Sequence, residues 1–269
     1  MINDRINLSV EDGIASVVLS RPDKMNALDS KMFDALAMTA ELICEDISVR
    51  VVVISGQGKG FCAGLDMENF SSMLDPSASK DQDLGGLAKR THGIANDVQH
   101  AVWVWHELPM PVIAAVHGVA VGGGLQIALA ADMRYAAPKT RFSILEMKWG
   151  IIPDMGSSQL MRHLAPEDIV RELSYTARIF EADEAKEYGF ITKIVDDPLA
   201  HAMEVAKQIV NRNPHAVRAC KRVFNAANYV TEAQGLLMES QEQDKIMGKP
   251  NQIEAVMAEL QKRPPVFED

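Results

Sequence analysis

The sequence predicts an α/β fold, with strands and helices alternating over roughly residues 1–165 and helices dominating after that. VRVVVISG (49–56) is a wholly apolar run of strand length, which is typical of a strand buried on both faces of a parallel sheet. A second such run, VIAAVHGVAV, occupies 112–121. From about residue 166 to 260 the apolar spacing is mainly helical, with one short strand predicted at ITKIV.

The N-terminal part predicts a strand–helix–strand unit. IASVVLS (14–20) is a β-branched run bounded by Asp-Gly and Arg-Pro, as expected of a strand. Residues 29–47 place apolar side chains at helical spacing, and Asp29 or Ser30 can cap that helix. With the apolar strand at 49–56, this order is typical of a βαβ unit.

The middle of the chain alternates between loops and apolar segments. Residues 71–86 are rich in Ser, Asp, Gly and Pro, so a mobile loop is expected there. A helix is expected next, ending before Pro109. Its apolar positions are Ile94, Val98, Ala101, Val102 and Trp105. DMRYAA and FSILEMKWG read as further strands or extended turns. We divide the chain into an α/β core (1–200) and a helical C-terminal region (201–269) that form one functional unit.

Composition limits the classes of function. The 269 residues are 47% hydrophobic and 24% charged, as in ordinary globular proteins, and the formal net charge is −10. That charge argues against general affinity for nucleic acid or anionic membranes. The three cysteines form neither a disulfide framework nor a zinc pattern. Since no signal peptide or transmembrane segment is recognisable, we expect a cytoplasmic protein, and the cysteine spacing gives no reason to expect a bound metal.

Three consecutive glycines in VGGGLQIALAAD (121–132) raise a chemical question. A strand that passes through glycines into a helix presents free backbone N–H groups, which favour an anion or a developing oxyanion. The run lacks the Lys-Ser/Thr ending of a phosphate loop and the spacing of a dinucleotide turn. Alternatively, the glycines only allow a buried helix to pack closely against the sheet.

A second glycine turn favours the oxyanion interpretation. GKGFCAGLD (58–66) follows the apolar strand 49–56 at the same relative place as the triple glycine follows its own strand. Two turns at strand ends, each able to direct an N–H group, are typical of the two halves of an oxyanion hole.

Several segments together resemble the crotonase superfamily of enoyl-CoA hydratases and isomerases, over essentially the whole chain. They are RPDKMNAL (21–28), FCAGLD (61–66), PVIAAVHGVAVGGG (111–124), FSILEMKWGIIPDMG (142–156) and the terminal RPPVF. The resemblance implies a ClpP/crotonase-like spiral core of repeated ββα units with a helical C-terminal region. It also implies an acyl-CoA thioester substrate, no cofactor beyond the coenzyme A of that substrate, and a homotrimer or hexamer.

The resemblance also implies roles for particular residues. The N–H groups of Ala63 and Gly123 would form the oxyanion hole. The remaining substrate-binding or CoA-binding residues would be Asn26, Ala27, Leu28, Gly64, Asp66 and Gln126. Of these, Asp66 would also fix the turn behind Ala63. Lys24 or the KRV run at 221–223 could meet CoA phosphates, although a role as solvated surface charge suits them equally.

The acid–base residues depart from the hydratase pattern. Hydratases of this superfamily use two glutamates, and their positions here hold Gln126 and Glu146, twenty residues apart. A glutamine cannot take or give a proton at neutral pH. Asp154 lies where dienoyl-CoA isomerases of the superfamily carry an acid, so we expect Glu146 and Asp154 to shuttle a proton. Otherwise Glu146 would be a surface carboxylate and Asp154 would cap the helix starting near Met155 or Gly156.

The expected activity is therefore double-bond isomerisation in an unsaturated acyl-CoA, a lyase or isomerase reaction of this family. Two alternatives stay open: hydration by Glu146 with Gln126 orienting the water, and a catalytically weak acyl-CoA-binding protein. A serine hydrolase ranks last, since no G-x-S-x-G motif is present. We expect His117 to be a buried, hydrogen-bonded histidine and Cys62 to be a packing residue. Core or pocket-wall positions are expected for Trp103, Trp105 and Trp149.

Overall fold

The computed structural model describes residues 1–67 and 86–269, so the loop expected at 71–86 lies almost wholly outside the described residues. In these ranges the strands are β1 (Ile6–Glu11), β2 (Ile14–Leu19), β3 (Val51–Gly56), β4 (Val112–Val116), β5 (Val119–Val121), β6 (Met133–Ala136), β7 (Arg141–Ser143), β8 (Phe180–Glu181) and β9 (Lys193–Ile194). The α-helices are α1 (Ser30–Glu45), α2 (Asp97–Glu107), α3 (Gly123–Ala130), α4 (Ser157–Met161), α5 (Glu167–Thr176), α6 (Ala182–Tyr188), α7 (Pro198–Val210), α8 (Pro214–Ala227), α9 (Glu232–Asp244) and α10 (Pro250–Gln261).

Two sheets organise the α/β part. The larger has six strands in the order β1-β2-β3-β4-β6-β9, and the smaller has three in the order β5-β7-β8. All neighbours in the larger sheet are parallel except β1 and β2. In the smaller sheet β5 and β7 are parallel, and β7 and β8 are antiparallel. The predicted α/β class is confirmed.

The predicted βαβ unit is present. Strands β2 and β3 pair in parallel, with Ile14 opposite Val51, and α1 connects them. Asp29 caps α1, because its Oδ1 accepts a hydrogen bond from the Met32 N–H at 2.9 Å. Strand β1 was not predicted. Most of its residues are exposed, so β1 lacks the run of apolar residues that marks β2.

Two boundaries differ from the prediction. The apolar run 112–121 is two strands in different sheets, separated at Gly118, whose φ of +65° turns the chain. A Cβ at Gly118 would lie 2.1 Å from the Lys59 carbonyl oxygen, so the turn packs backbone against backbone. Helix α2 begins only at Asp97, where Asn96 and Gln99 form a capping box. Ile94 therefore lies outside the helix and is exposed.

The C-terminal helices include one that belongs to the core. Ala202 and Ala206 of α7 pack against β3 and β4 through Val51, Val53 and Ile113. Residue 200, where we placed the boundary of the helical region, lies within α7. FSILEMKWG contains only the short strand β7 and a 3-10 turn at Glu146–Trp149. In the ranges that the structure describes, every helix is too short or too polar to cross a membrane.

Candidate active site

The triple glycine forms the turn between β5 and α3. Gly122 has φ +53° and ψ −127°, a conformation that disfavours side chains, and its N–H donates to the Ser143 carbonyl at 2.9 Å. A Cβ on Gly124 would lie 2.3 Å from the carbonyl oxygen of Cys62. The glycines therefore do allow α3 to pack closely. This packing brings the turn into contact with the second glycine turn.

Asn26 braces the second turn. Its side chain is fully buried and donates through Nδ2 to the carbonyl oxygens of Gln57 at 3.0 Å, Gly60 at 2.9 Å and Phe61 at 3.1 Å. Asn26 also has a φ of +56°, a left-handed conformation that asparagine tolerates better than most residues. Any contact of Asn26 with coenzyme A is therefore limited to its main chain.

The two glycine turns lie side by side, as predicted. The Cys62 N–H donates to the Val119 carbonyl at 3.0 Å and the Cys62 carbonyl accepts from the Val121 N–H at 3.2 Å, so the second turn pairs in parallel with β5. A Cβ on Gly64 would lie 3.6 Å from the nitrogen of Gly123. Two strand-end turns from distant parts of the chain therefore meet at the start of α3.

The two predicted oxyanion donors differ in their hydrogen bonding. No acceptor for the Gly123 N–H is found among the described residues, as expected at the first position of a helix. The Ala63 N–H donates to the Met25 carbonyl oxygen at 2.9 Å. Met25 has a left-handed φ of +48° and is exposed, so a thioester oxygen could replace its carbonyl after a local shift.

An ion pair holds the segment before α1 against the second turn. The Arg21 guanidinium contacts the buried Asp66 carboxylate and donates to the Ala27 carbonyl at 3.1 Å. Leu28 donates to the Gly64 carbonyl at 2.8 Å, and its own carbonyl accepts from the Asp66 N–H at 3.0 Å. Asp66 thus fixes the turn behind Ala63, as expected.

A cavity of about 320 Å³ opens over the two turns. Its lining includes six predicted site residues, namely Ala27, Ala63, Gly64, Asp66, Gly123 and Glu146. The wall also contains Lys24, Met25, Leu145, Trp149 and Ile151. The remaining four predicted residues, Asn26, Leu28, Gln126 and Asp154, are not part of this lining. Trp149 is thus a pocket-wall residue, whereas Trp105 is buried in the core.

Gln126 and Glu146 are hydrogen-bonded to each other beneath the cavity. Gln126 Nε2 donates to Glu146 Oε1 at 2.6 Å, and Gln126 Oε1 accepts from the Met155 N–H at 2.9 Å. Only 3% of Gln126 and 6% of Glu146 is exposed. Among the described residues, Glu146 Oε2 has no hydrogen-bond partner although it is buried. One carboxylate oxygen is therefore held and the other is unpaired.

The electrostatic surroundings favour proton uptake by both predicted acids. Burial raises the pKa of Glu146, whereas the backbone N–H of Glu146 and the hydrogen bond from Gln126 lower it. The nearby Asp154 carboxylate makes a smaller contribution that raises it. Burial also raises the pKa of the half-buried Asp154. Asp154 does not cap a helix. Helix α4 begins at Ser157, with Gly156 at its N-cap position and no side chain capping it. The capping alternative is wrong.

Other candidates occupy structural positions. His117 is half-buried, and its Nε2 lies 2.9 Å from the Gly58 carbonyl oxygen. Cys62 is fully buried, which raises the pKa of its thiol to about 12 and excludes a thiolate nucleophile at neutral pH. Lys221 is also buried, with Nζ 2.8 Å from Asp132 Oδ2 and 3.0 Å from the Met110 carbonyl. Lys221 is therefore not a CoA-phosphate contact.

Sequence reasoning missed two backbone groups of this site. The Met155 N–H orients the Gln126 amide, and the Met25 carbonyl occupies the Ala63 N–H. Since every residue except proline carries an N–H and every residue carries a carbonyl, no residue type marks such roles.

Comparison with known proteins agrees with this geometry. The family model described as enoyl-CoA hydratase/isomerase matches residues 9–269. This chain belongs to the enoyl-CoA hydratase/isomerase family. It is therefore an enzyme of the crotonase superfamily that acts on acyl-CoA.

Members with different activities are about equally similar to this enzyme. It is 29% identical over 265 residues to a peroxisomal Δ(3,5)-Δ(2,4)-dienoyl-CoA isomerase of Arabidopsis thaliana, covering 97% of this chain and 95% of that one. It is 28% identical over 262 residues to a mitochondrial methylglutaconyl-CoA hydratase of Mus musculus, covering 95% and 79%. The crystal structure of an enoyl-CoA hydratase from Bacillus anthracis superposes with a TM-score of 0.87 at 28% identity, covering 98% of both chains.

Proposed function

We propose that this member of the family moves a carbon–carbon double bond along the acyl chain of an unsaturated acyl-CoA. The observation that carries the proposal is the state of Glu146, a buried carboxylate on the cavity wall with one oxygen held by Gln126 and the other unpaired. A carboxylate whose pKa is raised by burial is suited to take a proton from carbon and return it.

The first step is removal of a proton from a carbon activated by the thioester. Glu146 takes the proton, and the electron pair of that C–H bond moves through the conjugated system onto the thioester oxygen. The N–H groups of Gly123 and Ala63 stabilise this enolate, and one such donor contributes ~10²–10³-fold in rate. The Ala63 N–H becomes available when the thioester oxygen replaces the Met25 carbonyl as its acceptor.

The second step returns a proton to a different carbon. The enolate electrons re-form the carbonyl, and the proton comes from Glu146 or from Asp154. Asp154 is close enough to raise the pKa of Glu146, and its own pKa is raised by burial. The two carboxyl groups can therefore divide the roles of acid and base. No co-reactant is needed, since the substrate and the product are isomers.

Hydration is the second candidate, because hydratases are also among the similar proteins. In that reaction two groups must orient and activate a water molecule. The carbonyl oxygen of Gln126 already accepts from Met155, and one N–H donates to Glu146. This leaves little hydrogen-bonding capacity to orient water, so isomerisation is favoured. Binding without catalysis is disfavoured by Glu146, a cavity-lining residue whose carboxyl group has a raised pKa and one unpaired oxygen.

A substrate panel separates these functions. Purified enzyme is tested with crotonyl-CoA, a 3-enoyl-CoA and a 3,5-dienoyl-CoA, following ultraviolet absorbance. We expect the enzyme to move the double bond of the 3-enoyl-CoA or of the 3,5-dienoyl-CoA. Glu146→Gln is expected to lower kcat for that reaction by ~10²–10⁴-fold. Asp154→Asn is expected to lower kcat as well. Gln126→Glu restores the second carboxyl group and is expected to raise hydration of crotonyl-CoA.

Each opposing outcome points to another function. Rapid loss of crotonyl-CoA with the wild-type enzyme, and no isomerisation, would establish hydration. Full isomerase activity in Asp154→Asn would remove Asp154 from the mechanism and leave Glu146 as the acid and base. If no substrate changed although acyl-CoA bound tightly, the protein would be a binder.

A further inference from the structure

A cluster of metal-ligating side chains lies where α1, α2 and the turn before α2 meet. Glu41 comes from α1, His100 from α2, and His92 from the turn that precedes α2. One ligand atom from each of the three lies within 4.8 Å of the others. Three separate elements thus contribute to one small site, which is outside the cavity of the active site.

Polar contacts connect these side chains to one another and to their neighbours. His100 Nε2 lies 3.1 Å from Glu41 Oε1. His92 Nδ1 lies 3.2 Å from Asp97 Oδ1 and 3.1 Å from Thr91 Oγ1. For His92, a carboxylate beside Nδ1 can hold the proton there and leave Nε2 with a lone pair, as around histidines that bind metals. Between His100 Nε2 and Glu41, the ion would instead replace the shared proton. Asp97 is therefore placed to prepare Nε2 of His92 as a ligand.

The backbone around His92 is also held. The N–H groups of Thr91 and His92 both donate to the Ala95 carbonyl at 3.0 Å, and the Ala95 N–H donates to the His92 carbonyl at 2.9 Å. The rings of His92 and His100 stack, with centroids 4.0 Å apart and planes 7° from parallel. The lone pairs of stacked rings lie in parallel planes, so binding one ion requires the exposed His92 ring to tilt out of the stack.

The cluster is open to solvent on one side. It lies on the wall of a cleft of about 350 Å³ that also contains Asp34, Phe33 and Met38. His100 is buried, whereas Glu41 and His92 are exposed and can move to ligand spacing, which is ~3.3 Å between the ligands of a tetrahedral zinc ion. The carboxylates of Glu41, Asp97 and Asp34 balance a divalent charge.

We propose that Glu41, His92 and His100 bind a divalent transition-metal ion, with Zn²⁺ as the best match. Two imidazoles and one carboxylate suit zinc and its neighbours rather than Mg²⁺ or Ca²⁺. The fourth position would face the cleft and hold water or an external ligand. Because the ligands come from α1, α2 and the turn before α2, the ion would connect these three elements and stabilise the folded chain.

The test uses the full chain after removal of metals with EDTA. Zn²⁺ binding is measured by competition with a chromophoric chelator, and Co²⁺ is added separately to record the visible absorption of a tetrahedral site. We expect one Zn²⁺ per chain and a rise in Tm with Zn²⁺. His92→Asn and Glu41→Gln, both at exposed positions that spare folding, should each weaken binding at least tenfold. Asp97→Asn should weaken it ~10–100-fold, as loss of an outer carboxylate does.

A matched control is His163→Asn, which removes an exposed histidine elsewhere and should leave Zn²⁺ affinity unchanged. The proposal is overturned if no saturable binding of one ion per chain occurs. It is equally overturned if binding persists at full affinity in both His92→Asn and Glu41→Gln. Anomalous scattering from a zinc-soaked crystal would locate the ion directly, and density elsewhere would contradict the assignment.

Discussion

Gln126 Nε2 donates to Glu146 Oε1 at 2.6 Å, while the Gln126 carbonyl is held by the Met155 N–H. An amide has a donor end and an acceptor end, so the backbone donor at Met155 determines which end faces Glu146. The glutamine therefore presents N–H to the carboxylate and stabilises its charged form. A glutamate at this position would instead place a second carboxyl group against Glu146 and raise the pKa of the pair.

The first prediction concerns pH. Gln126→Met removes the donor and should raise the pKa of Glu146 further above that of an ordinary glutamate, since the hydrogen bond opposes the effect of burial. A base must be deprotonated to act, so the acidic limb of the kcat/KM profile should move to higher pH. The same profile of Gln159→Met, at an exposed position, serves as the control. An unmoved limb in Gln126→Met would mean that Gln126 does not tune Glu146.

The second prediction concerns stability. The pKa of Glu146 is raised in the folded state, so the unfolded chain loses this proton at lower pH than the folded chain does. Wild-type stability therefore falls as pH rises from the unfolded to the folded pKa. Glu146→Gln removes this penalty, because the amide stays neutral at every pH in this range.

We expect Glu146→Gln to raise Tm at pH 7–8, by ~2–4 °C for each kcal/mol gained in a chain of this size. Near pH 4 and below the gain should shrink, because both states are then protonated. Calorimetry across this pH range measures it. Glu45→Gln, on the exposed end of α1, is the control. A Tm gain that is independent of pH would show that charge is not its origin.

The third prediction separates the glycines. The Cβ of Gly124→Ala would lie 2.3 Å from a backbone carbonyl, whereas that of Gly123→Ala would meet only side-chain ends, at 2.6 Å and 2.9 Å. Gly124→Ala should therefore be the more destabilising, by ~1–3 kcal/mol or more. Gly235→Ala in α9, with its nearest neighbour at 3.8 Å, should stabilise by up to ~1 kcal/mol. Urea unfolding measures all three, and the reverse order would contradict the packing argument.

The fourth prediction concerns Asn26. Asn26→Ala leaves three buried carbonyl oxygens without their side-chain donor and places alanine at a left-handed φ. The combined loss should be ~2–4 kcal/mol of unfolding free energy. Asn26→Asp should be at least as damaging, because a carboxylate would face the same carbonyls. Asn7→Ala, where the side chain is exposed, should change little. A neutral Asn26→Ala would refute its bracing role.

The fifth prediction distinguishes two lysines. Lys24 lies exposed on the cavity wall, so Lys24→Ala should raise KM for CoA esters severalfold, with a smaller effect at high salt. Lys221→Met should leave KM unchanged. It should lower the free energy of unfolding by ~3 kcal/mol, because Asp132 loses its ion-pair partner, which is buried. Steady-state kinetics and thermal unfolding measure the two effects. Equal KM values in wild type and Lys24→Ala would exclude Lys24 from CoA binding.

Much of the active site was predictable because its parts follow strands. Apolar runs identify β3 and β4. The glycines that follow these runs predict turns whose N–H groups lie together at the strand ends. The segment 112–121 shows the limit of this reasoning. Its residues are apolar throughout, so the pattern cannot reveal that Gly118 turns the chain from one sheet into another. That turn depends on the Lys59 carbonyl, which is 59 residues away in the chain.

The sequence by itself determined that position 126 carries an amide, that Glu146 and Asp154 are the nearby acids, and that glycines flank the strand ends. Only the tertiary structure decided how these groups pair. Gln126 contacts Glu146 twenty residues later and Met155 beyond it because the fold brings α3 against the segment that leads into α4. Packing determines which groups far apart in the chain form hydrogen bonds, and the local sequence does not indicate which ones they are.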